Sequence, residues 1–150
     1  MGILYLGADH AAFEAKEELK NYLLQKSSEW KIEDLGTHSA ERTNYPTYAS
    51  AMADKLANSE TDLGILICGS GIGVSMVANR YKRIRAATCR SEKEAKLSRQ
   101  HNNANVLCLG ARINSIEELK SIIEAWLAAE FEGGRHAERV AMFNELGEDV

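Results

Sequence analysis

Short apolar runs and longer amphipathic stretches alternate five times along this chain. Residues 3–7 read as a strand, and 11–25 follow with helical spacing through Phe13, Leu19, Tyr22 and Leu23. A weaker strand at 31–35 precedes a helix at 45–57, where Pro46 is tolerated in the first turn. A continuous apolar strand at 63–67 leads to a helix at 73–81. Strands at 84–88 and 105–109 enclose a charged helix at 92–99, and Ser115, Glu117 and Glu118 mark the start of a helix at 115–129. A last helix is expected at 136–146. Strict alternation with near-continuous apolar strands predicts an α/β fold, a parallel sheet covered by helices on both faces. In such sheets ligands collect beyond the carboxyl ends of the strands. One stretch, 36–44, is polar without apolar period and is a candidate lid or subunit contact.

Length and composition narrow this picture. The 150 residues fit a single domain, and one proline leaves the elements few interruptions. A net charge of −4 argues against a nucleic-acid partner, which needs a basic face, yet permits small anions held by a few local cations. Cys68, Cys89 and Cys108 match neither a disulfide framework nor zinc spacing. No apolar run reaches the length of a membrane span, and residues 1–6 lack the basic start of a signal peptide. Met1-Gly2 resembles the head of a myristoylation signal, but the residues after it fit a buried strand better. A reduced, soluble, cytoplasmic protein without membrane partner is expected.

The reactive residue types fall at element ends. Asp9-His10 follow the first strand, and Cys68-Gly69-Ser70-Gly71-Ile72-Gly73 follow the third. Three glycines at alternate positions between strand and helix let backbone N–H groups face one concavity, suited to a phosphate or a developing oxyanion. The loop is not a dinucleotide fingerprint, because its sixth position is Val74, and it lacks the Gly-Lys-Ser/Thr of a Walker loop. Without a ligand it is only a tight strand-to-helix turn. A thiol beside a helix N-terminus has its thiolate favoured; an isolated cysteine is more often a small buried hydrophobe, the reading adopted for Cys89 and Cys108. Asp9 alone is a helix cap, His10 an anion contact, and His101 a turn residue between helix and strand. Arg135 and Arg139, four apart, share a helical face next to His136, suiting a phosphate dianion or a solvated face paired with Glu132 and Glu138. No His, Asp and Glu set has metal-ligand spacing, so no metal is expected.

Taken together, Gly7-Ala8-Asp9-His10, Glu41-Arg42-Thr43-Asn44-Tyr45-Pro46, the loop 68–73, Ser98-Arg99-Gln100-His101-Asn102 and Glu132-Gly133-Gly134-Arg135-His136 resemble the ribose-5-phosphate isomerase type B family. The similarity is collinear from about residue 3 to residue 140. The resemblance implies a Rossmann-like three-layer α/β/α sandwich with a five-stranded parallel sheet. It also implies a homodimer or dimer of dimers with the active site between subunits, and no cofactor. Carried over by position, Cys68 is the base at C2 of the open-chain sugar phosphate, and the amides around Gly69, Ser70, Gly71 and Gly73 hold the enediolate. His101 with Ser70 or Asp9 opens the furanose ring, Asn102 bonds sugar hydroxyls, and Tyr45 packs beside the sugar. His10, Arg135 and Arg139 bind phosphate, with Arg112 and His136 as further candidates. Position 70 is Ser where several members have Thr, and Val74 stands where some relatives carry a glutamate base. The implied reaction interconverts D-ribose 5-phosphate and D-ribulose 5-phosphate. The alternatives are galactose 6-phosphate or allose 6-phosphate isomerisation, or a phosphometabolite-binding protein without chemistry.

Overall fold

The computed structural model describes residues 2–26 and 29–149; Met1 lies outside the described residues. Apolar runs form the strands β1 (Ile3–Ala8), β2 (Lys31–Asp34), β3 (Leu63–Cys68), β4 (Ala86–Thr88) and β5 (Val106–Gly110). The helices are α1 (Phe13–Lys26), α2 (Tyr45–Leu56), α3 (Ile72–Ala78), α4 (Glu92–Asn102), α5 (Ile116–Ala128) and α6 (Arg135–Phe143), and a 3-10 turn at His10–Ala12 precedes α1. All strands pair in parallel, in the order β2-β1-β3-β5-β4. This is the expected α/β/α sandwich.

Both faces of the sheet are dry along its central strands β1, β3 and β5, while the edge strands β2 and β4 are half-buried. On one face Leu4, Leu6, Ile65, Ile67, Leu107 and Leu109 meet Leu19 and Leu23 of α1 and Leu119, Ile122, Ile123 and Trp126 of α5. On the other, Tyr5, Leu66, Cys68, Val106 and Cys108 meet Ala49, Met52, Ala53 and Leu56 of α2 and Val74 and Ala78 of α3. Alternate residues of β3 therefore serve opposite layers, following the two-residue period of a strand. Each large aliphatic side chain so buried contributes about 1.5–3 kcal/mol.

Local signals set the helix ends. Ser115 and Glu118 close a reciprocal capping box on α5. Ser91 accepts from Glu94 N at the start of α4. The far end of α4 runs beyond the expected 99, because the left-handed residue that stops it is Asn103, with φ 48°. His101 thus sits in the last helical turn and not in a loop. Helix α3 stops at Ala78, short of the expected 81, and β4 starts at Ala86 rather than 84, because Asn79 bonds Ala86 through both its side-chain amide groups. Cys89 lies one residue past β4, although buried as expected. Helix α6 ends at Phe143, before the expected 146; beyond it residues 80–82 pair with Glu148, through Lys82 N to Glu148 O at 2.7 Å and Glu148 N to Arg80 O at 2.8 Å. No described helix is long and apolar enough to cross a membrane.

Candidate active site

From β1 the chain leaves toward β2 at one edge, and from β3 it leaves toward the opposite edge. The switch point of the sheet is therefore the crevice between the carboxyl ends of β1 and β3. Ala8 stands level with Ile67, so Asp9 and Cys68 leave the sheet side by side. Asp9 N donates to Ile67 O at 3.4 Å.

The glycine loop is strapped into place by its neighbours. Ala111 N donates to Cys68 O at 2.9 Å and Arg112 N to Gly69 O at 3.0 Å. Thr88 Oγ1 donates to Gly71 O, and Arg90 Nη1 to Ser70 O, both at 3.2 Å. Gly71 takes φ 78°, and a β-carbon there would stand 2.8 Å from the Leu109 carbonyl carbon, so both conformation and space demand glycine. Of the loop amides, Gly71 N–H donates to Cys68 Sγ at 3.1 Å and Ile72 N–H to Ser70 Oγ at 3.2 Å. The concavity anticipated from the glycines is thus partly turned inward, onto the thiol itself.

Two side chains flank the loop. The Tyr45 ring lies over Gly73, where a β-carbon would come within 2.5 Å of Cε1. Arg112 runs alongside Gly69, its Cδ 3.4 Å from the position a β-carbon would take. Tyr45 arrives as the first residue of α2, at the far end of the polar stretch 36–44. That stretch is tied at both ends. Thr37 N donates to Ala8 O at 2.7 Å, and Thr43 grips His10.

Asp9 Oδ1 accepts from Ala11 N at 3.1 Å, the capping role read from sequence, and the residue is 7% exposed. His10 N donates to Thr43 Oγ1 at 3.1 Å. Its Nδ1 lies 3.1 Å from both the amide nitrogen and the carbonyl oxygen of Thr43. Nδ1 accepts from the Thr43 N–H in the tautomer that carries its proton on Nε2, and donates to the Thr43 carbonyl in the tautomer that carries it on Nδ1.

A second group forms where α4 ends and α6 begins. The rings of His101 and His136 stack with centroids 4.3 Å apart at 15°. Glu132 Oε1 lies 3.6 Å from His101 Nε2 and 3.9 Å from His136 Nε2. Partial burial, with the His101 ring and the Arg135 guanidinium nearby, holds the His136 imidazole below its ordinary range. Asn102 stands beside His101 at the end of α4, and Arg135 and Arg139 are exposed on α6. Among the described residues, no hydrogen bond or ion pair joins this second group to the loop 68–73. The structure therefore gathers the sequence candidates into two groups, not one.

The other two cysteines behave as packing. Burial pushes the Cys89 thiol up to about 11 and the Cys108 thiol well above its ordinary value. A cavity of about 340 Å³, lined by Tyr81, Ile84, Phe143 and Leu146 among others, is mostly apolar and holds none of the candidates. Sequence reasoning missed the supports: Thr43 behind His10, Thr88 and Arg90 behind the loop, and Glu132 between the histidines. Thr43, Thr88, Arg90 and the His101 side of Glu132 act across 17 or more residues, so no local spacing signals them; only Glu132 and His136, four apart, are local neighbours.

These features define a class, the doubly wound parallel α/β proteins with a thiol-headed glycine loop at the switch point. Within that class the chain belongs to the ribose/galactose isomerase family, whose profile matches residues 4–143. It is 48% identical to ribose-5-phosphate isomerase B of Escherichia coli (strain K12), covering 89% of each chain. A solved structure of ribose-5-phosphate isomerase B from Mycoplasma genitalium with bound ribulose-5-phosphate is 41% identical. It superposes with a TM-score of 0.91 over 96% of this chain and 95% of that one. The galactose-6-phosphate isomerase subunit LacB of Clostridium acetobutylicum is 38% identical over 86% of this chain and 73% of its own length.

Proposed function

We propose that this chain is an aldose–ketose isomerase that interconverts D-ribose 5-phosphate and D-ribulose 5-phosphate through an enediolate, with Cys68 as the base. The observation that carries the reading is the placement of Cys68 at the switch point, its Sγ 3.1 Å from the Gly71 amide, in a chain so similar to ribose-5-phosphate isomerases B. Isomerisation by proton transfer needs one base that removes and returns a proton, and donors for the oxygens that gain charge. The Cys68 thiolate takes the proton from C2 of the open-chain aldose, and the thiol so formed delivers it to C1. The remaining loop amides, at Gly69, Ser70 and Gly73, face the oxygens of the intermediate; one such donor is worth roughly 3–4 kcal/mol. His101, with Ser70 or Asp9, opens the furanose ring, Asn102 holds sugar hydroxyls, and Tyr45 closes over the sugar.

His10 presents an Nε2–H to the phosphate, with Arg112, Arg135, His136 and Arg139 completing its charge balance. Binding remote from the reacting carbons supplies orientation. The separation of the two groups within one chain favours a homodimer, or a dimer of dimers, in which the histidine–arginine group of one subunit meets the loop of another. The unpaired thiols fit a cytoplasmic enzyme.

Cys68→Ala tests the base. Solvent-proton exchange at C2 falls by about 10²–10⁴-fold, while a substrate analogue still binds. Wild-type activity in that variant would remove Cys68 from the mechanism. The similarity to a galactose-6-phosphate isomerase subunit favours one second reading, with a 6-phosphohexose as substrate. A higher kcat/KM for galactose or allose 6-phosphate than for ribose 5-phosphate decides for it.

A further inference from the structure

The stacked pair His101–His136 has a feature that phosphate binding does not need. Both rings turn Nε2 toward the same carboxylate oxygen of Glu132, at 3.6 and 3.9 Å. One ligand atom from each of the three residues lies within 4.8 Å of the others. Zinc held by imidazole and carboxylate at about 2.0–2.2 Å puts its ligand atoms about 3.3 Å apart. The triangle closes on such an ion when its edges shorten by up to about 1.5 Å and the two stacked rings rotate so that their in-plane lone pairs converge.

The backbone prepares it. Glu132 N donates to Gln100 O at 3.0 Å, fixing the carboxylate's residue against the last turn of α4. His101 occupies that same turn, at the end of the helix whose carbonyls favour a cation. The His136 side chain is only 12% exposed, so little water must be displaced to reach its ring. Arg135 and Arg139 oppose a cation here; the Glu132 carboxylate and the end of α4 offset them.

We propose that His101 Nε2, His136 Nε2 and Glu132 Oε1 form a three-ligand site for a borderline divalent transition ion of the Zn²⁺ class, and that the bound ion inhibits the enzyme by occupying the ring nitrogen that opens the sugar. Two imidazoles and one carboxylate select such an ion over Mg²⁺ or Ca²⁺, which take oxygen ligands. Three protein ligands leave a coordination position for water. No covalent step is involved. The inhibitory half rests on the isomerase reading above; the binding half does not.

The test uses the full-length protein after treatment with a chelator. Co²⁺ alone is added, and its visible ligand-field bands are followed. One equivalent is expected to give bands without thiolate-to-cobalt charge transfer, and Glu132→Ala and His136→Asn should each weaken binding by at least about tenfold. Zn²⁺ should inhibit wild-type turnover, chelator should restore it, and half-inhibition in Glu132→Ala should need at least about tenfold more Zn²⁺. Each variant's own metal-free rate is the reference. Absence of bands, bands that persist unchanged in both variants, or a charge-transfer band from a cysteine overturns the site. Binding at the site without inhibition of an active enzyme overturns the inhibitory role. A chain that binds Co²⁺ as described yet turns over no sugar phosphate keeps the ion site and loses the isomerase reading.

Discussion

At Gly73 and Gly71 a single methyl group has two different consequences. A β-carbon on Gly73 collides with the Tyr45 ring, which is 39% exposed and free to swing outward. Gly73→Ala is therefore expected to cost less than about 1 kcal/mol of stability while raising KM, because the ring leaves its place beside the sugar. Adding Tyr45→Ala to that variant should raise KM little further, since the two residues act through one contact; a double-mutant cycle measures the coupling. A β-carbon on Gly71 meets the backbone of Leu109, at a φ of 78° that only glycine adopts freely. Gly71→Ala should lower stability by about 1–3 kcal/mol, read from the shift in Tm, and activity with it. Both glycines were visible in the sequence as one motif. Which of them faces a mobile ring and which a fixed carbonyl was not, because the neighbour in each case comes from a distant element.

At the scale of elements, α1 and β2 are joined by charge. Lys16 Nζ, fully buried, lies 2.6 Å from Asp34 Oδ2 and 2.8 Å from Glu17 Oε1, and Lys20 Nζ lies 2.7 Å from the same Asp34 oxygen. Asp34 Oδ1 also accepts from Gly36 N at 2.9 Å, so the network holds the turn that begins the polar stretch. Burial alone would raise the Asp34 carboxyl, but hydrogen bonds from Lys16, Lys20 and the Gly36 amide outweigh it and bring it down from 3.8 to about 2. Above pH ~4 the group is ionised in folded and unfolded chains alike, and its stabilisation is complete. Between pH ~4 and ~2 the unfolded chain takes up the proton first, so stability falls as pH falls and this share is gone below pH ~2. The share is about 1–2 kcal/mol once solvent screening is allowed for, and Asp34→Asn should flatten the acid limb of a stability–pH curve. The same variant should cost about 3 kcal/mol at neutral pH, because Lys16 then loses its main buried partner. The helical spacing through Phe13, Leu19, Tyr22 and Leu23 does not mark Lys16 as buried; the packing of α1 against β2 does that.

For the molecule as a whole, the loop 68–73 and the group at His101, His136 and Arg135 are separate constellations in one chain. Assembly is the proposed means of joining them. Chains carrying Cys68→Ala and chains carrying Arg135→Ala, each inactive, are expected to recover part of the activity when mixed and allowed to exchange subunits, at most about a quarter of the sites being intact in a random dimer. No recovery under proven exchange would place the whole site within one chain.

The sequence by itself determined the layer order and nearly every element, because hydrophobic period is a local property that survives without tertiary context. It also placed Cys68, Asp9 and His10 at strand ends, since a strand-to-helix turn with glycines is itself a local pattern. Tertiary structure decided the strand order β2-β1-β3-β5-β4, which puts Asp9 and Cys68 side by side at the switch point. It turned the Gly71 amide onto the thiol, set Thr43 behind His10, and brought Glu132 between two histidines 35 positions apart. His10 and Thr43, and His101 and Glu132, are distant along the chain; Cys68 and Gly71 are three apart and Glu132 and His136 four, yet which group turns toward which is set by the packing around them. Their geometry follows from how helices pack across the sheet, and no spacing within the sequence encodes it.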